Sequence, residues 1–99
     1  MYAMVVRMSL DPDRRPDVIT HFRSDVAGWA GRQHGFVSGQ WFCTPQGGDG
    51  LGVVVFEDEA DVAAAMRGPS STAHDETRAW NIDQVEVFEQ VAQADLAGG

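Results

Sequence analysis

One cysteine, Cys43, is all that 99 residues contain. No disulfide can form within the chain, and a single thiol in a strand pattern suits a reducing compartment such as the cytoplasm. Basic side chains are also few. Seven Lys plus Arg face fifteen Asp plus Glu, a formal net charge of −8. Phosphate backbones and anionic membranes are poor partners for that charge, so neither nucleic acid nor membrane is expected to bind. No apolar run approaches the roughly 18–20 residues of a membrane span. No charged and then apolar leader precedes the strand pattern that begins at Tyr2, which argues against a signal peptide. Zinc-type Cys/His spacing, a Gly-rich phosphate loop after a strand and a nucleophile elbow are all missing. The three histidines, His21, His34 and His74, stand too far apart in sequence to argue a metal site.

What is present reads as one domain over residues 1–92, followed by a tail, 93–99, that is expected to fray. In residues 2–9, Tyr2, Met4, Val6 and Met8 alternate with Ala3, Val5 and Arg7, so a first strand carries apolar side chains on both faces. Asp11-Pro12-Asp13 is turn chemistry. The spacing of Val18, Ile19, Phe22, Val26, Trp29 and Ala30 predicts a helix from near Arg14 that ends by Gly35. Phe36 to Thr44 reads as a second strand, in which Gly39 marks a bulge or a close approach. Pro45 to Gly50 is a hairpin connection, and Leu51 to Glu57 a third strand buried on both faces. Asp58 is placed to cap a second helix that Gly68-Pro69 breaks, and Ser70 or Ser71 to cap a short turn over 72–78. Asn81 to Ala92 reads as the last strand.

The order strand, helix, strand, strand, helix, strand predicts an α+β protomer of ferredoxin-like type with a four-stranded antiparallel sheet. Two helices cover only one face of such a sheet. The second apolar face therefore predicts a homodimer, two sheets packed face to face as a dimeric α+β barrel, with one pocket per subunit between sheet and helices.

Two residues stand out as candidates for chemistry. His74 follows the Gly68-Pro69 break, where a segment folded over the sheet could make room for a ligand; the alternative is a surface-loop histidine. Arg7 lies on a central strand. Either it lines a pocket and meets a substrate oxyanion, or it sits at the strand's end and reaches past the sheet edge. Trp80 and Asn81 offer an aromatic wall and an amide. His21 reads as a solvated or edge residue of the first helix, His34 as a C-terminal residue favourable to the helix dipole, and Trp29 and Trp41 as core or interface. Arg78 reads as a solvated partner of Asp75 or Glu76.

The segments HGFVSGQW, LGVVVFEDEADVAAAM and VEVFEQV, with the order of elements, resemble the antibiotic-biosynthesis-monooxygenase-like family over residues 2–91. That resemblance implies a dimeric α+β barrel. Some members oxygenate polycyclic aromatic molecules without metal or flavin, and others degrade heme. In the cofactor-free branch an electron-rich phenol or enol is deprotonated and reacts with oxygen directly. The resemblance then implies His74 as the group taking the proton and Arg7 as stabiliser of the oxyanion, with Phe22, Trp80, Asn81, Met66 and Tyr2 around the substrate. MRGPSSTAHDETR, Met66 to Arg78, is similar to the heme-degrading branch, where His74 falls on the iron-binding position and heme is the substrate. That branch has an asparagine where this chain has Arg7, and a tryptophan where it has Ala63-Ala64-Ala65. The leading expectation is thus a cytoplasmic homodimer that oxygenates or binds a small aromatic or polyketide-type molecule with no cofactor. The alternatives are heme binding or degradation through His74, and a non-catalytic ligand-binding module.

Overall fold

The structure, a computed structural model, describes residues 1–95. The end of the tail expected to fray, 96–99, lies outside the described residues. Four strands, β1 (Tyr2–Leu10), β2 (Phe36–Cys43), β3 (Asp49–Phe56) and β4 (Trp80–Glu89), form one sheet in the order β2-β3-β1-β4. Every neighbouring pair is antiparallel. The ferredoxin-like α+β arrangement expected from the pattern is therefore present, with β1 central.

Between β1 and β2 the chain makes a 3₁₀ turn, Pro12–Arg14, opened by Asp11, whose carboxylate accepts from the Asp13 N–H at 3.0 Å. A continuous helical run follows in three parts: α1 (Arg15–His21), a π-helical turn (Phe22–Val26) and α2 (Ala27–Gly31). Gly35 then turns the chain into β2 with a φ of +77°, the left-handed region that favours glycine. Between β3 and β4 lie α3 (Glu59–Ala65) and α4 (Arg67–Ser70).

Local expectations are corrected at three places. Asp58 has the extended backbone of an N-cap, but its side chain makes no capping bond; its backbone carbonyl receives the Val62 N–H instead. Gly68-Pro69 does not end the helical path but lies within α4, where Pro69 falls in the first turn and its missing N–H breaks no helical bond. Over 72–78 the chain makes only the turn in which the Arg78 N–H donates to the Asp75 carbonyl, and Ser71 does not cap it, because the Ser71 and Thr72 hydroxyls both donate back to the Gly68 carbonyl.

The core lies between the helices and one face of the sheet. Met4, Val6, Met8 and Leu10 from β1 meet Val54 and Phe56 from β3, Val18, Phe22 and Ala30 from the first helical run, and Val62 and Ala65 from α3. The alternate residues Ala3, Val5, Arg7 and Ser9 point to the other face. There they are in register with Val55, Val53, Leu51 and Asp49 of β3, and Phe42 and Phe88 stand about half exposed.

Candidate functional site

The core does not fill the space under the helices. A cavity of about 320 Å³ opens between the sheet and the first helical run, with α4 along one side. Met4, Val6, Met8, Val54 and Ile82 come from the sheet, Phe22, Val26 and Trp29 from the helices, and Gly68, Pro69 and Thr72 from α4 and its end. All three tryptophans of the chain, Trp29, Trp41 and Trp80, are part of its wall.

Trp41 forms its floor for a reason visible in the neighbouring strand positions. A Cβ on Gly39 would come within 2.6 Å of the indole, and one on Gly52, its cross-strand partner, within 2.9 Å. The ring lies flat on the sheet because both positions beneath it lack side chains. The close approach anticipated at Gly39 is this one. Gly68 does the same beside Trp29, where a Cβ would meet the ring at 3.1 Å.

Among the described residues only two ionisable ones line the cavity, His21 and Asp25. They are four residues apart, so they share a helix face, and His21 Nδ1 lies 3.0 Å from Asp25 Oδ2. A carboxylate only accepts, so in the neutral ring this bond places the proton on Nδ1 and leaves the lone pair on Nε2. The imidazole stacks on Trp80 with centroids 4.4 Å apart and planes 12° from parallel, which fixes its tilt. The π-helical turn begins immediately after His21 and ends with the Ala27 N–H bonded to the Phe22 carbonyl. Such turns are rare and recur at functional sites; this one carries Phe22, Asp25 and Val26 onto the same cavity.

The residues singled out from the sequence divide. Phe22 and Trp80 line the cavity as expected. Arg7 does not. The strand alternation that sends Met4, Val6 and Met8 inward sends Arg7 to the opposite face, where it is half exposed and bonds Glu86 Oε1 at 3.2 Å. His74 is exposed in the connection from α4 to β4 and is not among the cavity residues. Met66 and Tyr2 pack against the core, outside the cavity lining. Asn81 is buried, but its amide is consumed by the connection: Oδ1 accepts from the Asp75 N–H at 2.9 Å, and Nδ2 donates to the Asp75 carbonyl at 3.0 Å. Arg78 closes the same loop, donating to the carbonyls of Trp80 and Ala73 and to Asn81 Oδ1, with its guanidinium 4.1 Å from the Trp80 ring centroid. It is a strut rather than a solvated partner. Asp75 itself takes two bonds from Thr77, which hold its carboxyl below the usual range.

His21, Trp29 and Trp41 are cavity residues that the sequence reading assigned elsewhere, and Asp25 is one that it did not single out. A signal for the two polar residues exists in hindsight. His21 and Asp25 repeat the i, i+4 spacing of Phe22 and Val26 one position earlier, so the stripe that packs inward carries a polar pair along its margin. Among the described residues no group of three or more His, Cys, Asp or Glu could hold a metal ion, and no helix is long and apolar enough to cross a membrane.

No protein-family model and no curated protein matches the chain. Solved structures do. HapK from Hahella chejuensis is 14% identical with a TM-score of 0.72, covering 99% of this chain and 100% of its own. A monooxygenase from the gene ActVA-Orf6 of Streptomyces coelicolor, determined with Nanaomycin D, is 14% identical with a TM-score of 0.62 over 97% of this chain and 92% of its own. SnoaB, a cofactor-independent oxygenase from Streptomyces nogalater, is 16% identical with a TM-score of 0.55 over 97% and 96%. These likenesses show the fold, the α+β architecture that the sequence resemblance implies.

Proposed function

We propose that this chain binds a small, flat aromatic molecule of polyketide type between its sheet and helices, and oxygenates it without flavin or metal. The observation that carries the reading is the cavity itself, with four aromatic side chains, Phe22, Trp29, Trp41 and Trp80, around a space at the lower end of the roughly 300–1,000 Å³ range of small-molecule sites. The fold likeness supports the class of chemistry, since the SnoaB structure is described as a cofactor-independent oxygenase. The apolar open face of the sheet supports a homodimer, and the single cysteine a cytoplasmic setting. No geometry favours heme, since His74 is outside the cavity.

Because every tryptophan lines the cavity, intrinsic fluorescence reports on it directly. Titration with anthrone-like and quinol compounds is expected to quench the emission saturably and to accelerate oxygen uptake over the uncatalysed rate. Saturable quenching with no oxygen uptake would leave a binding module and reject the oxygenase. Absence of quenching would reject the site.

A further inference from the structure

We infer that His21 is the proton acceptor of this cavity, that Asp25 positions it, and that the ligand is a neutral molecule bearing a weakly acidic hydroxyl conjugated to a carbonyl. The inference rests on the cavity being the ligand site.

The lining residues provide one place where a proton can go. Thr72 also lines the cavity, but its hydroxyl proton is committed to the Gly68 carbonyl at 3.0 Å. The His21–Asp25 pair is of a different kind, because Asp25 accepts the bond from Nδ1–H and the neutral ring keeps its lone pair on Nε2. Proton transfer then balances within the site. The ligand O–H bond breaks, its electron pair stays on oxygen as a phenolate or enolate, and the proton forms a new bond to Nε2. The resulting imidazolium is held by the Asp25 carboxylate across Nδ1–H, and no other reactant is consumed. Stacking on Trp80 holds the ring in plane while its charge changes.

The same groups set the ligand class. Among the described residues no cationic side chain other than His21, if protonated, lines the cavity, so an incoming carboxylate or phosphate would lose its hydration against apolar walls and face Asp25. A neutral ligand enters without that cost. Its hydroxyl must be acidic enough for an imidazole to take the proton, as when conjugated to a carbonyl. Asp25 bonds His21 on its own helical run, Asp17 lies one turn earlier on the same run and is paired with Arg14, and across the Trp80 ring stands Arg78, whose N–H groups are tied to Trp80, Ala73 and Asn81.

The probe is alizarin, a hydroxyanthraquinone whose phenolate has its own visible spectrum. Wild type is expected to bind it with tryptophan quenching and to lower its ionisation midpoint by about one pKa unit, roughly a tenfold rise in the phenolate-to-phenol ratio. His21→Gln, chosen to retain bulk beside Trp80, is expected to bind but lose the downward shift, leaving the midpoint at or above the free value because the apolar walls and Asp25 disfavour the phenolate. Asp25→Asn tests positioning. Its amide can donate to Nδ1, so ¹⁵N NMR of the ligand-free protein is expected to show the His21 proton moved to Nε2, with the midpoint shift lost. Saturable binding with the same midpoint in wild type and His21→Gln would overturn the proton-acceptor role alone. A wild-type His21 protonated at Nε2 would overturn it without any ligand. No quenching in wild type would overturn the cavity reading, and this inference with it.

Discussion

Trp41 shows how a single side chain is placed by what its neighbours lack. Gly39 and Gly52 leave the sheet surface bare beneath the indole, so Gly39→Ala is expected to tilt the ring up into the cavity. We expect a stability loss of about 1–3 kcal/mol in urea denaturation, typical of overpacking, together with weaker quenching by aromatic ligands. Gly35 is a second such position. Its left-handed φ and the Asp61 carboxylate packed where a Cβ would lie make Gly35→Ala costly, by about 2 kcal/mol or more. The same Asp61 accepts from the exposed His34 at 2.7 Å, and that bond raises the His34 pKa above its ordinary value. The folded state thus holds this proton more tightly than the unfolded chain. The contribution is fully present below about pH 6.5 and is lost as pH rises through the higher folded-state value. Thermal melts of wild type are expected to drop across that window, and those of His34→Gln to drop less; parallel curves would contradict the coupling. Single-residue roles were the least legible feature of the sequence. Arg7 and His74 are conspicuous by type, yet strand alternation sends one to the far face and a loop carries the other into solvent. His21 looked ordinary because its partner Trp80 is distant in sequence.

The elements were legible to within a few residues, since their signals are local. Alternation marks β1, the three-and-four spacing marks the first helical run, and glycine and proline mark the turns. Hydrogen bonding settled what periodicity could not. The π-helical turn leaves the apolar stripe unchanged and so has no pattern of its own. The connection from α4 to β4 is held by Asn81 and Arg78 rather than by helix, and no local propensity encodes a loop tied by a residue on the following strand. Asn81→Ala removes both bonds to the backbone of the exposed Asp75, whose freed groups water can take over, at a net cost of about 0.5–1.5 kcal/mol per bond. Hydrogen exchange over residues 71–79 is expected to accelerate while the amides of β1 and β3 stay protected. Uniform acceleration across the sheet would contradict a clasp confined to the loop.

At the scale of the whole molecule, the sheet divides two tasks between its faces. The covered face holds the core and the cavity. The open face presents Val5, Leu51 and Val53 with half-exposed Phe42 and Phe88 around the Arg7–Glu86 pair. Two apolar faces are already evident in the first strand, and they are the basis of the proposed homodimer. Sedimentation equilibrium is expected to give a dimer, and Val53→Asp, which buries a charge in that interface, a monomer with unchanged far-UV circular dichroism; a wild-type monomer at working concentration would contradict the pairing. The claim on which the functional reading depends is that the ligand sits on the covered face. The indole N–H signals of Trp29, Trp41 and Trp80 in a ¹⁵N-resolved NMR titration with alizarin test it most directly. All three are expected to shift together and saturate, while the amides of Val5, Arg7 and Val53 follow only the small changes of the sheet backbone. Unmoved indoles with shifts centred on the open face would contradict it.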